Sequence, residues 1–141
     1  MIGFDLTEEQ QRMKEMAHEF AEKEMRSVAH DYDEKEEFPW PVMKKAFDVG
    51  LLTYSIPEEY GGAGLDCVSY VLAIEEISKV CASHGVIMSV NNSLVCYGLN
   101  KFGTEEQKQK FLTPLASGKK LGAFSLTEPQ SGSDAGNMKV R

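Results

Sequence analysis

Thr127, Ser131 and Ser133 place short hydroxyls close together in the segment Thr127-Glu128-Pro129-Gln130-Ser131-Gly132-Ser133-Asp134. A hydroxyl both donates and accepts, and these side chains lose little entropy when fixed. Pro129 sets its own φ and drives Glu128 toward an extended conformation, while Gly132 allows close backbone approach. Thr127 is β-branched, so its hydroxyl occupies few rotamers. The chemistry on offer is hydrogen bonding to the polar edge of a small ligand. The plainer alternative is a turn that ends a strand.

Other arrangements carry less. Glu15 and His18 form a single E-x-x-H, the helical spacing of di-iron bundles. Such bundles need a second pair and further inward carboxylates, and neither His30 nor His84 has a glutamate three residues before it, so no metal site is expected. Glu15 and His18 read as a solvated helix face. The run Pro57-Glu58-Glu59-Tyr60-Gly61-Gly62-Ala63-Gly64 has neither a Walker lysine nor G-x-G-x-x-G spacing, and reads as a connection between helices. No nucleophile elbow or triad spacing is present. Cys67, Cys81 and Cys96 lie in apolar, helix-periodic segments without a C-x-x-C pair, which predicts buried free thiols in a reducing compartment.

The 141 residues, 42% hydrophobic and 26% charged, suffice for one folded domain with a real core. Net charge is −7, with acids concentrated before Trp40 and bases in excess after Thr104. Only Lys108, Lys110, Lys119 and Lys120 cluster, which is too little for a duplex partner, so nucleic acid is not expected. No apolar run is long enough for a membrane span, and no secretory signal is read. A cytoplasmic protein is expected, or a mitochondrial matrix one in a eukaryote.

The elements that must position the hydroxyl loop are mostly helical. Thr7 with Glu8, Glu9 and Gln10 is a capping box, and Met13, Met16, Ala17, Phe20, Ala21, Met25 and Val28 follow at helical steps, predicting one helix over 7–30. Pro39 and Pro41 open a short helix running to Asp48, stopped by Gly50. Residues 51–55 read as a short extended piece. Asp66 caps a helix with apolar positions Val68, Val71, Leu72, Ile74, Ile77 and Val80. Ser83 caps another, over 86–100, which is apolar nearly all round and therefore central. Its polar patch Ser89, Asn91, Asn92 and Ser93 must find partners in backbone, neighbours or ligand. Thr104-Glu105-Glu106-Gln107 is a second capping box, with Phe111, Leu112 and Leu115 facing the core up to Gly118. Residues 120–126 then read as the first strand of something more. The expected fold class is all-α: a helical domain over 1–118, then the truncated start of a β domain over 119–141.

The run Phe124-Ser125-Leu126-Thr127-Glu128-Pro129-Gln130-Ser131-Gly132-Ser133-Asp134-Ala135 closely resembles the flavin and thioester loop of acyl-CoA dehydrogenases. Ile56 to Gly64, and Phe102-Gly103-Thr104-Glu105-Glu106-Gln107-Lys108 leading to Phe111, Leu112 and Leu115 to Gly118, match that family in the same order. The resemblance spans essentially the whole chain and leans toward the short-chain, butyryl-CoA type. It implies the N-terminal helical domain of a flavoenzyme that removes the α-proton and β-hydride of an acyl-CoA, giving the trans-2-enoyl thioester. FAD is the implied cofactor and electron-transfer flavoprotein the implied acceptor, with a homo-oligomer when complete. Phe124, Leu126, Thr127 and Ser133 match the family's flavin contacts, and Ser133 also its substrate contact. The buried helices before the loop line the acyl cavity in that family, so part of 89–97 is expected to face the acyl tail. The family's α-proton base lies in a later domain, so no catalytic residue is assigned here and the chain alone is expected to be inactive. The rival expectation is a non-catalytic helical interaction module derived from this family.

Overall fold

The computed structural model describes residues 5–54 and 56–140. Helix α1 (Glu8–Phe20) starts as its capping box predicts: the Gln10 N–H donates to Thr7 Oγ1 at 3.2 Å and the Thr7 N–H donates to Gln10 Oε1 at 3.1 Å. It runs into a π turn (Ala21–Met25), where the Arg26 N–H reaches back five residues to the Ala21 carbonyl. The expected single helix over 7–30 is interrupted there, and α2 (Ala29–Glu34) is separate. The buried stripe Ala17, Phe20, Ala21, Met25 ends at Met25, and α2 has no fully buried residue, meeting the core through half-buried Tyr32 instead.

Helix α3 (Trp40–Asp48) follows with Pro41 in its first turn. The stretch after Gly50 is not extended. It is a run of turns that buries Leu51, Leu52 and Tyr54 completely, and Ser55 lies outside the described residues. Its backbone groups are met from several directions, since the Ala63 and Leu65 N–H groups donate to the carbonyls of Thr53 and Tyr54, both at 3.0 Å. The glycine-rich connection is a self-packed knot around a 3₁₀ turn (Glu58–Tyr60). A Cβ at Gly62 would lie 2.0 Å from the Ile56 carbonyl oxygen, so only glycine fits.

Asp66 caps α4 (Cys67–Val80), its Oδ1 accepting the Ser69 N–H at 2.8 Å. Helix α4 buries Ser69, Ala73, Glu76 and Ile77, and it packs on α1 through small residues, Ala73 sharing a cluster with Ala17 and Ala21. Val68 and Val71, two of the helix's apolar positions, are left on the outer face, 49% and 55% exposed. The next rod is continuous: α5 (Ala82–Ser89), a π segment (Val90–Cys96) and α6 (Tyr97–Phe102). Ser83 does not cap it; Cys81 occupies the N-cap position and its side chain caps no amide. Nor is the rod wrapped on all sides. Its inner face is Gly85, Met88, Asn91, Asn92 and Cys96, whereas Val86, Leu94, Tyr97 and Phe102 are exposed. A Cβ at Gly85 would meet Ser78 Oγ at 2.2 Å, so the Ser78 side chain of α4 rests on the bare backbone of α5.

The second capping box holds α7 (Glu105–Gln107), continued by a π turn (Lys108–Leu112) and α8 (Thr113–Ala116). Leu112, Leu115 and Ala116 close a smaller cluster with Ile56, Tyr60 and Cys96, while Phe111 stays outside it, 41% exposed. Beyond Gly118 the chain is irregular. Among the described residues there is no strand, only an isolated bridge between Glu128 and Ser131, because the run expected as a strand has no edge to pair with. The fold is all-helical. Of the thiols, Cys96 alone is buried; Cys67 is exposed and Cys81 half-buried, which corrects the expectation for both.

Candidate functional site

The segment after α8 is fastened to the long rod at Gly122. Gly122 donates its N–H to Asn91 Oδ1 at 2.8 Å, and a Cβ at Gly122 would sit 2.8 Å from both Cβ and Cγ1 of Val95. Asn91 is fully buried, and its Nδ2 donates to the Leu52 carbonyl at 2.9 Å. Asn92, also fully buried, donates to the carbonyls of Leu51 and Met88 at 3.3 and 3.1 Å. The Tyr70 hydroxyl donates to Ser89 Oγ at 3.2 Å, and the Ser93 hydroxyl donates to the Ser89 carbonyl at 2.7 Å. The polar patch of the rod therefore serves the protein's own backbone. Of residues 89–97, Leu94 and Tyr97 are the exposed ones.

Downstream of this anchor, Phe124 and Leu126 are about half exposed and Thr127 is exposed. Glu128 and Ser131 then close a turn by exchanging backbone hydrogen bonds of 2.9 and 3.1 Å, with Pro129 at its first corner. Ser131 is buried and its hydroxyl donates to the Asp134 carbonyl, so it shapes the loop rather than offering itself to a ligand. Glu128 accepts the Lys139 and Val140 N–H groups, both at 2.9 Å, and the Gln130 side-chain amide. The Lys139 N–H, more than any other contact, holds its carboxyl below the usual carboxylate range. Ser133 is exposed beyond the turn. Thr127 and Ser133 thus present hydroxyls that no other described residue engages, beside two apolar side chains, on a loop braced from behind. The loop's acid, Glu128, is consumed by backbone amides. What the loop offers chemically is hydrogen bonding beside an apolar surface, and among the described residues no nucleophile and base pair accompanies it.

Sequence reasoning missed Glu76. It is 4% exposed and takes Lys79 Nζ at 2.8 Å, His18 Nδ1 at 3.1 Å and Lys14 Nζ at 3.8 Å, which ties α1 to α4. The bond from Lys79 is the main reason its carboxyl lies below its ordinary value. His18, read as a solvated face, is one of these partners, whereas Glu15 accepts from Gln11 at 2.7 Å. The signal was the neighbourhood: Glu76 follows Ala73 by one turn and precedes Ile77, on the small-residue face. Gly122 gave no signal, since its role depends on Val95 in another element.

Residues 7–119 match the family model for the acyl-CoA dehydrogenase N-terminal domain. The short-chain specific acyl-CoA dehydrogenase of Clostridium acetobutylicum is 50% identical over 139 residues, covering 99% of this chain and 37% of that protein. Butyryl-CoA dehydrogenase from Megasphaera elsdenii superposes with a TM-score of 0.89 at 38% identity, over 98% of this chain and 37% of that one. A chain from a structural study of the electron transferring flavoprotein of Acidaminococcus fermentans superposes with a TM-score of 0.92 at 46% identity, over 98% of this chain and 36% of that one. This chain spans little more than a third of the length of these relatives. The helical order, the loop and the extent of these matches together place the chain in the acyl-CoA dehydrogenase family, whose N-terminal domain it carries.

Proposed function

We propose that this chain supplies the helical wall and flavin-gripping loop of an FAD-dependent enzyme that oxidises a short-chain acyl-CoA to its trans-2-enoyl thioester. The observation that carries the reading is the braced loop, with Thr127 and Ser133 exposed as unengaged hydroxyls next to half-exposed Phe124 and Leu126. An isoalloxazine has a polar edge and apolar faces, and this set of side chains fits both. FAD, when bound, accepts the β-hydride. Thr127 donates a hydrogen bond at the ring's polar edge, where negative charge develops, and a donor fixed in advance stabilises it without reorganisation. Phe124 and Leu126 exclude water from that edge. Ser133 would contact both flavin and thioester and help orient the substrate. Leu94 and Tyr97, exposed on the rod, are the part of residues 89–97 open to an acyl tail. The domain division falls at Gly118, supported by the last helix ending at Ala116. The α-proton base belongs to a later part of such an enzyme, and electrons leave for an electron-transfer flavoprotein. The resemblance to the short-chain Clostridium protein supports the substrate class.

A second reading, a helical module that binds a partner without catalysis, draws on the exposed apolar side chains Val86 and Phe102, 60% and 79% exposed. Absorbance separates the two. The purified enzyme carrying this chain is expected to be yellow and to bleach anaerobically on adding butyryl-CoA. A colourless protein that stays colourless with added FAD would overturn the first reading.

A further inference from the structure

A cleft of 660 Å³ opens between the segment that follows α2 and the start of α5, away from the hydroxyl loop. Cys81 and His84 line one side, Asp33, Glu36, Glu37 and Phe38 the other, and no lysine or arginine is among its lining residues. His30 also lines it, with Nε2 3.4 Å from the Glu34 carboxylate. Cys81 Sγ lies 2.8 Å from His84 Nδ1. His84 is 2% exposed, and its Nε2, though buried, has no hydrogen-bond partner. A buried imidazole nitrogen left without a partner is costly unless the site is used. Cys81 is half-buried and heads α5, where the first amides of the helix favour a negative group.

We propose that Cys81 and His84 form a thiol-exchange site that takes small disulfides bearing an ammonium group. Burial lowers the His84 pKa and so favours the neutral imidazole, and it is the 2.8 Å contact that lets Nδ1 share the thiol proton. Nδ1 takes the Cys81 thiol proton, and the thiolate attacks one sulfur of the incoming disulfide. The disulfide's S–S bond breaks as the bond from Cys81 Sγ forms; the departing thiolate then collects the proton from His84 and leaves as a thiol. Cys81 is oxidised to a mixed disulfide and the reagent is reduced by the same electron pair. The carboxylates of Asp33, Glu36 and Glu37 line the same cleft. The same carboxylates favour a cationic reagent over an anionic one.

The chain contains its own controls. Cys67 is exposed with no imidazole beside it, and Cys96 is buried, its thiol pushed up to about 12. The test treats the full 141-residue chain with cystamine or with dithiodipropionate, a disulfide of similar length and opposite charge, and follows each cysteine by peptide mass spectrometry. Cys81 is expected to react with cystamine about tenfold faster than Cys67, and that lead should shrink several-fold with dithiodipropionate. His84→Asn should slow Cys81 about tenfold and leave Cys67 unchanged. Should His84→Asn fail to fold, the surface variant Glu36→Gln/Glu37→Gln decides, and it should reduce the preference for cystamine. Cys67 reacting first with both reagents, or a Cys81 rate indifferent to reagent charge, overturns the proposal.

Discussion

Asn91 grips Gly122: its side-chain oxygen accepts the glycine N–H at 2.8 Å while its amide nitrogen donates to the Leu52 carbonyl at 2.9 Å. One side chain thus joins the rod, the buried turns after α3 and the segment leading to the loop. Asn91→Ala leaves a donor and an acceptor unmet in a buried site. The expected cost is about 2–4 kcal/mol, read by urea unfolding. A loss below ~0.5 kcal/mol would mean that water replaces both bonds at no cost and that Asn91 does not anchor the loop.

Gly122→Ala drives its new methyl group into Val95, 2.8 Å away. Either the segment lifts or the rod shifts, at about 1–3 kcal/mol. Val95→Ala should restore part of that loss, so the double variant should be more stable than the two single losses add up to. Simple additivity would show that the contact is relieved elsewhere.

Glu76 links stability to pH. Its folded pKa lies below the ordinary 4.5, so at pH above 4.5 the folded state gains from the ionised carboxylate. That gain is lost as pH falls from 4.5 through the lower folded value, because the unfolded chain takes up the proton first. Glu76→Gln should be less stable near neutral pH and should flatten the fall in stability on the acid side. Parallel pH curves for the two proteins would remove Glu76 as a source of the slope.

Thr127→Val keeps the shape and removes the hydroxyl. In the complete flavin-loaded enzyme it should weaken FAD binding or lower the flavin potential by an equivalent of about 1–3 kcal/mol, measured by fluorescence titration and by spectroelectrochemistry. No change in either quantity would take Thr127 out of the cofactor site.

Glu128→Ala removes the acceptor shared by the Lys139 and Val140 amides. Hydrogen exchange at those two amides should accelerate toward the unprotected rate, with protection in α1 and α4 unchanged. Protection that persists would place the hold on this segment elsewhere.

The helix starts were legible because they depend on neighbours in sequence: Thr7, Asp66 and Thr104 each cap as their spacing predicts. The turn at Pro129 was legible for the same reason, and within it Ser131 serves the loop's own shape. Faces were harder. Val68 and Val71 are β-branched and apolar like Ile77, and the close contact of Ala73 with α1 decides that they point outward. Long-range contacts left no local mark, as with Glu76 and its partners Lys14 and His18 on α1, or Gly122 beneath Val95. The π turns were invisible too, since a five-residue hydrogen bond has no compositional signature.

Those wide turns carry a consequence for length variation in this rod. A π turn is what a helix forms when it absorbs one inserted residue. Removing one residue between Val90 and Cys96 would therefore not break the rod; the wide turns would tighten toward ordinary ones, and the stretch from Tyr97 to Phe102 would keep the side it presents. A single-residue deletion here takes up slack, shortening the scaffold slightly without redirecting what it carries.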